Sequence, residues 1–376
     1  MASVYICGDI VNFNNREGLL CSDPLAEIVA DADYAVCNFE APVSGFGTPQ
    51  PKSGPHLSQL PETVDGLKEQ GFDLLLLANN HIMDYGPEAL GATMDRAASA
   101  GLECMGAGPD ADSAYKPLIK VVKGVKTGMI NACEAQFGVI DHFERGHPAG
   151  YAWINHQLID SAVLRLGREC DFVIVFAHAG LEFQNIPQKE WRARYRHLCD
   201  LGADVVVGSH PHVPQGYENH GDALIFYSLG NFYFDSKKNP GKEHPSYAVR
   251  LDLRKGEPPS FQPVYYYKSG NRVHPAPGNK QIDLDGLCAM LGEGYTKAHD
   301  EMCLEAYEKL RARLVTSILP FEYKGSVLKS VKPALASLFG RKSKKNKDLS
   351  LLHLLRNEAY YYAVRHALEL RVRNNA

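Results

Sequence analysis

The sequence predicts an α/β protein in which two packed sheets are flanked by helices over residues 1–275, with a helical C-terminal extension over 280–376. Three observations lead there. Through the first 235 residues, short apolar runs of strand length alternate with helix-length segments, which is the pattern of βα units. Strand-like runs then follow one another without helices between them, as a second, mixed sheet requires. After about residue 280 the strand pattern stops and helical periodicity takes over.

In order, Val4–Cys7 and Tyr34–Cys37 read as strands, with a helical stretch at Leu25–Asp31 between them. A helix is expected over Glu62–Glu69, a strand over Phe72–Leu77, a helix over Pro87–Ala100 and a short strand over Leu102–Met105. Two β runs around Gly124, within 117–132, suggest a hairpin or an adjoining sheet. The alternation resumes with a helix at Gln157–Arg168, a strand at Phe172–Phe176, a helix at Lys189–Asp200 and a strand at Asp204–Val207. Further strands are expected at Ala223–Tyr227, Tyr247–Leu253 and Pro263–Tyr267. Helix is predicted over most of 287–319, interrupted near Gly292 and Gly294, and again over Leu349–Arg373.

Composition narrows the function classes. The 376 residues are 45% hydrophobic and 22% charged, as expected of a protein with a sizeable core. A formal charge of -4 argues against a dedicated nucleic-acid surface, which needs a basic excess, although a local basic groove for an anionic substrate is compatible with it. The longest apolar runs, 73–78 and 171–177, have strand length and fall well short of the roughly 20 residues of a transmembrane helix. MASVYICGDI leads straight into a strand-like run with no basic n-region, so the expectation is no signal peptide and a cytoplasmic location. Nine cysteines without a C-x-x-C pair fit a reducing compartment, and Cys7, Cys37 and Cys133 read as buried thiols.

The chemistry gathers where the apolar runs end. VYIC ends in Gly8-Asp9, DYAVC in Asn38-Phe39-Glu40, and DLLLLA in Asn79-Asn80-His81. DFVIVFA ends in His178, with Glu182 four residues on, and DVVVG in Ser209-His210-Pro211-His212. Carboxyl ends of parallel strands converge in an open α/β sheet, so these groups can meet around one or two divalent ions. Mixed nitrogen and oxygen donors suit Mn, Fe or Zn better than Ca. Taken singly, each has an ordinary structural reading: Asp9 as a turn or cap residue, Asn79 and Asn80 as turn residues, His178 as a satisfied core histidine. Five such endings in one chain favour a shared polar site.

These segments, in this order, resemble the CapA family of capsule and poly-γ-glutamate proteins. CGDI (7–10), NFEAP (38–42), LANNHIMDYG (77–86), FAHAGLEF (176–183), GADVVVGSHPHVPQG (202–216) and IFYSLGNFYFD (225–235) carry the resemblance, which covers roughly residues 3–268. That family is related in fold to calcineurin-like metallophosphoesterases, and the resemblance implies a four-layer αββα sandwich. It also implies that Asp9 and His212 hold a first metal, Glu40 bridges, and Asn80, His178 and His210 hold a second. His81 would stabilise the transition state or protonate the leaving oxygen, and an ion-activated hydroxide would attack. Metallophosphoesterases usually open with D-x-H, whereas Asp9 is followed by Ile10 and Val11. The first position is thereby one imidazole short, which leaves weak binding, magnesium or no ion open there.

Asp84 can orient His81 or cap the helix that follows. Glu182 can face substrate or serve as a surface carboxylate, and Lys52 can contact an anion or be a solvated loop lysine. SLGNF (228–232) reads as a tight turn, with Asn231 near the site. The basic run 340–347 reads as a solvated linker, with a membrane surface or acidic polymer as the alternative. The tyrosine clusters at 265–267 and 360–362 read as packing or interface residues. The expected function is a metal-dependent hydrolase of surface-polymer metabolism, with an anionic polymer or phosphorylated substrate and one or two ions from Mn, Fe, Zn and Mg. A non-catalytic scaffold that binds polymer or synthase and a general phosphomono- or diesterase are the alternatives. A homo-oligomer is left open.

Overall fold

The structure is a computed structural model that describes residues 1–141, 149–236, 245–319 and 346–375. The chain divides into two units, one made of Met1–Gln50 and His56–Glu293, the other of Pro51–Pro55 and Gly294–Ala376.

The first unit is built on two large sheets. In one, the strand Ala2–Val11 pairs in parallel with Tyr34–Phe39, which continues to Leu74–Leu76 and Glu103–Met105, also parallel. On its other side Ala2–Val11 pairs antiparallel with Pro245–Leu253, followed by Ser260–Ser269 and Arg272–Pro275. The strand Asn231–Phe234 adds in parallel to the end of Ala2–Val11, so SLGNF turns directly into a strand that registers Asn231 against Asp9. In the second sheet Phe172–His178 lies between Val125–Cys133 and Val205–Ser209, both parallel to it. Val125–Cys133 forms a hairpin with Leu118–Val122, and Lys123 and Gly124 at its tip both adopt positive φ, as a tight two-residue hairpin turn requires.

Side-chain alternation assigns the layers. Val4, Ile6, Val36, Leu74 and Leu76 face Phe172, Ile174, Phe176, Val205 and Val207 in a core between the sheets. Tyr5, Cys7, Ala35, Cys37 and Leu75 point the other way. They pack on Leu25 and Val29 of the helix Asp23–Ala30, Val64 and Leu67 of Glu62–Glu69, and Leu90 and Ala97 of Gly86–Ala100. The helices Gln157–Glu169 and Lys189–Asp200 pack on the second sheet. The result is the four-layer αββα sandwich. Strands buried on both faces explain the uninterrupted apolar runs in the sequence.

The second unit contains the helices Tyr295–Ile318, Lys347–Arg356 and Glu358–Asn375. The single helix expected over Leu349–Arg373 is two, because Asn357 leaves the helical conformation and its side chain accepts from the Tyr360 N–H at 2.8 Å. Ala359, Ala363 and Ala367 form a buried stripe one turn apart, and small side chains there let the helices approach closely. Of the basic run 340–347, all but Asn346 and Lys347 lies outside the described residues.

None of the nine cysteines forms a disulfide. Among the described residues no helix is long and apolar enough to cross a membrane.

Gly8 is the tightest point before the site. A Cβ there would lie 1.7 Å from the Gly230 carbonyl oxygen, the same oxygen that accepts from the Asp9 N–H at 3.2 Å. Gly8→Ala is therefore expected to destabilise the protein by about 1–3 kcal/mol or more in denaturant unfolding. Retained stability would show that the two backbones can separate freely.

Candidate functional site

The parallel strands of both sheets end on one side of the sandwich and deliver their last polar residues to one buried cluster. Asp9 and Asn38 come from adjacent strands in register, and Glu40 follows, its N–H bonded to the Ile10 carbonyl at 3.0 Å. Asn80 and His81 follow Leu74–Leu76, and His178 is the last residue of its strand, in register with Ser209. His210 and His212 leave the neighbouring strand with φ of 95° and 59°, and Ala41 adopts φ 138° directly after Glu40. Positive φ at non-glycine residues is strained, and such strain concentrates at functional sites.

Glu40 defines the centre. It is fully buried, and among the described residues no hydrogen-bond donor reaches either carboxylate oxygen. Leaving a carboxylate in this state costs several kcal/mol unless a cation or proton compensates it. Burial drives its pKa well above the ordinary value; the His212 charge opposes that rise and Asp9 adds to it.

Two sets of donors share Glu40. In one, Glu40, His178 and His210 each offer an atom within 4.8 Å of the others. His178 Nε2 lies 3.0 Å from His210 Nδ1, 3.1 Å from Asn80 Oδ1 and 3.8 Å from Glu40 Oε1. One ring nitrogen carries at most one proton, so hydrogen bonding cannot satisfy all three contacts. Ligand atoms about 3.0–3.4 Å apart are what bonds of about 2.0–2.1 Å to one ion produce. Burial and the neighbouring imidazoles hold the His178 and His210 pKa values well below normal, so both rings are neutral with lone pairs available. On its far side, His178 Nδ1 lies 2.9 Å from Ser209 Oγ, which fixes the ring.

The other set is Asp9, Glu40 and His212. His212 Nδ1 lies 3.0 Å from Asn231 Oδ1 and 3.4 Å from Asp9 Oδ2, while Nε2 faces Glu40 Oε1 at 3.8 Å. Burial disfavours the charged ring, but Glu40 and Asp9 outweigh it and push the pKa up to about 10. Asp9 Oδ1 accepts from Asn38 Nδ2 at 2.7 Å, and Oδ2 from the His210 N–H at 3.3 Å.

The structure thus brings Asp9, Glu40, Asn80, His178, His210 and His212 together. His81 stands beside them, with Nδ1 2.7 Å from Asp84 Oδ2. Asp84 orients His81 and also accepts from the Leu57 N–H at 2.7 Å; the residue in the helix N-cap position is Tyr85. Asn231 orients His212. Glu182 is half-buried, and its charge raises the pKa of both Glu40 and His212. Lys52 belongs to the second unit, where it opposes protonation of His353.

Three participants were missed in the sequence. Asn38 sits between Asp9 and His178, with Nδ2 3.2 Å from His178 Nδ1. Glu134, fully buried, accepts from Gln136 Nε2 at 2.7 Å and the Gly180 N–H at 3.1 Å, and lies 3.9 Å from His210 Nε2. Gln136 reaches Asn80 Nδ2 at 3.5 Å. Glu134 is the first residue after Val125–Cys133, so the strand-end pattern that exposed the others applies to it as well.

The sequence model described as bacterial capsule synthesis protein PGA_cap matches residues 19–236. The chain belongs to this family. It is 34% identical to capsule biosynthesis protein CapA of Bacillus anthracis over 217 residues, covering 54% of this chain and 51% of that protein. It is also 34% identical to PGA biosynthesis protein CapA of Bacillus subtilis (strain 168) over 211 residues, 54% of each chain. The chain thus spans about half the length of these curated relatives. Among solved structures, the calcineurin-like phosphoesterase YfkN from Bacillus subtilis is similar at 14% identity and a TM-score of 0.38, covering 80% of this chain and 98% of that one.

Because Glu40 is buried without donors, Glu40→Gln is expected to stabilise the metal-stripped protein at neutral pH by about 1–3 kcal/mol. Denaturant unfolding in chelator measures this, and a loss of stability would show that His212 already compensates the charge in full.

Proposed function

We propose that this chain is a metal-dependent hydrolase of the phosphoesterase type, acting on an anionic substrate in capsule or poly-γ-glutamate surface-polymer metabolism. The observation that carries the proposal is Glu40, a buried carboxylate without donors shared by two sets of imidazole and oxygen donors. The names of the two Bacillus relatives support the surface-polymer part.

In this reading Asn80, His178, His210 and Glu40 hold one divalent ion of the Mn, Fe, Zn or Mg class, and Asp9, Glu40 and His212 hold a second. Ions there supply Lewis-acid stabilisation of the negative charge that develops as a phosphoester is attacked. Asn38 and Ser209 keep Asp9 and His178 in place, and Asn231 keeps His212 in place. His81, held at Nδ1 by Asp84, keeps Nε2 for delivering a proton to the leaving oxygen. Asn231 and the half-buried Glu182 border the space for substrate.

His210→Ala is expected to lose bound metal in elemental analysis and at least about 100-fold in turnover across a panel of phosphomono- and diesters with Mn, Mg, Fe and Zn. Full activity in that variant would overturn the proposal. Failure of the unmodified protein to turn over any ester, together with capture of a polymer or synthase, would favour the scaffold.

Asp84→Asn should lower kcat by about 10–100-fold with KM and metal content unchanged, because it acts through the orientation of His81. Lost metal instead would place Asp84 among the groups that build the ion site.

A further inference from the structure

We propose that His299, Asp300 and His366, all in the helical unit, form a separate binding site for a divalent transition-metal ion of the zinc class. His299 and Asp300 lie in the first turns of the helix Tyr295–Ile318, and His366 comes from the middle of Glu358–Asn375. One donor atom from each lies within 4.8 Å of the others. His366 Nε2 is 2.7 Å from Asp300 Oδ1, His299 Nδ1 is 3.9 Å from the same oxygen, and the two imidazole rings meet edge-on with centroids 4.8 Å apart. Two imidazoles and a carboxylate are a complete protein ligand set for zinc with a fourth position to spare. Bonds of about 2.0–2.2 Å would place these donor atoms roughly 3.3 Å apart, which small side-chain rotations achieve from the observed positions.

Burial grades across the cluster in the way a site with an access route requires. The His299 side chain is fully buried, whereas the Asp300 and His366 side chains are 29% and 18% exposed. An ion can therefore reach the carboxylate from solvent and settle against a ring that belongs to the core. Cys303, one turn beyond His299 and fully buried, brings its sulfur to 3.7 Å from His299 Nε2. Two imidazole donors beside a single carboxylate favour zinc-class ions over magnesium or calcium, which prefer oxygen surroundings.

The site has a structural consequence. It would join two helices whose ligands are 66 residues apart in sequence, closing a long loop and fixing the register of the alanine-lined contact. The strand-end cluster in the first unit shares none of these residues, so this site is independent of the proposed hydrolase activity.

The test counts zinc in the full chain. A Glu40→Gln/His210→Ala background, stripped with chelator and reloaded with zinc alone, is compared with the same background carrying His366→Gln. Elemental analysis after dialysis should show one equivalent fewer with His366→Gln, whose far-UV circular dichroism reports that the helices persist. Equal zinc in the two proteins would overturn the site. Crystals of the unmodified chain soaked in zinc give a second reading that needs no variant. An anomalous peak between His299 and His366 is expected, and peaks elsewhere with none there would overturn the proposal.

Discussion

Glu40 holds a negative charge, or the proton that replaces it, in a place where no backbone or side-chain donor among the described residues reaches it. A fold can keep such a group only by surrounding it with charge of the opposite sign or with atoms that bind a cation, and the neighbourhood of Glu40 is organised in that way. His178, His210 and His212 converge on it from two turns of the second sheet, and Asp9 approaches from the adjacent strand of the first. Both sheets therefore have to end at the same level. The core of Val4, Ile6, Val36, Phe176 and Val207 between them sets that level.

The backbone shows what this convergence demands. Ala41, Phe183, His210 and His212 all take positive φ, at about 1–3 kcal/mol each for residues with side chains. Hydrogen bonds hold several of these turns. The Ala41 N–H reaches the Phe39 carbonyl, the Phe183 N–H reaches the Pro211 carbonyl, and the His210 N–H reaches Asp9 itself. Phe183 is 65% exposed, with its ring 5.9 Å from that of His212, so an apolar wall stands beside the charged cluster. Relaxing any one of these turns would swing a donor away from Glu40, which links the strain to the geometry of the site.

Much of this was legible in the sequence because it follows from strand ends. An apolar run buried on both faces is easy to see, and the first polar residue after it is forced to the sheet edge. Asp9, Glu40, Asn80, His178 and His210 follow from that constraint alone, without any side-chain contact. Glu134 stayed hidden because the β runs around Gly124 read as a hairpin or an adjoining sheet over 117–132, and Cys133 only as a buried thiol, although the polar residue came next. Asn38 was overshadowed by Glu40, two residues on and on the same alternating face. The association of Pro51–Pro55 with the C-terminal helices, and the meeting of His299 with His366, depend on packing between distant segments, for which local pattern carries no signal. The break at Asn357 was hidden because helix-forming residues flank it on both sides.

The departure from D-x-H can be followed into the structure. Ile10 and Val11 are fully buried and continue the strand, so an imidazole in their place would have to displace core packing. What remains around Asp9 is balanced in a different way from the other half of the site. Burial and the neighbouring imidazoles hold the pKa values of His178 and His210 well below normal, and the rings present lone pairs. His212 is drawn towards its charged form by Glu40 and Asp9, with a pKa of about 10, and can itself serve as the counter-cation. The two halves answer the charge on Glu40 by different means, one with open donors and the other with a proton. That difference is the physical form of the missing imidazole. Glu40 and Asp9 favour the charged form of His212, so a cation entering on that side would compete with the His212 proton.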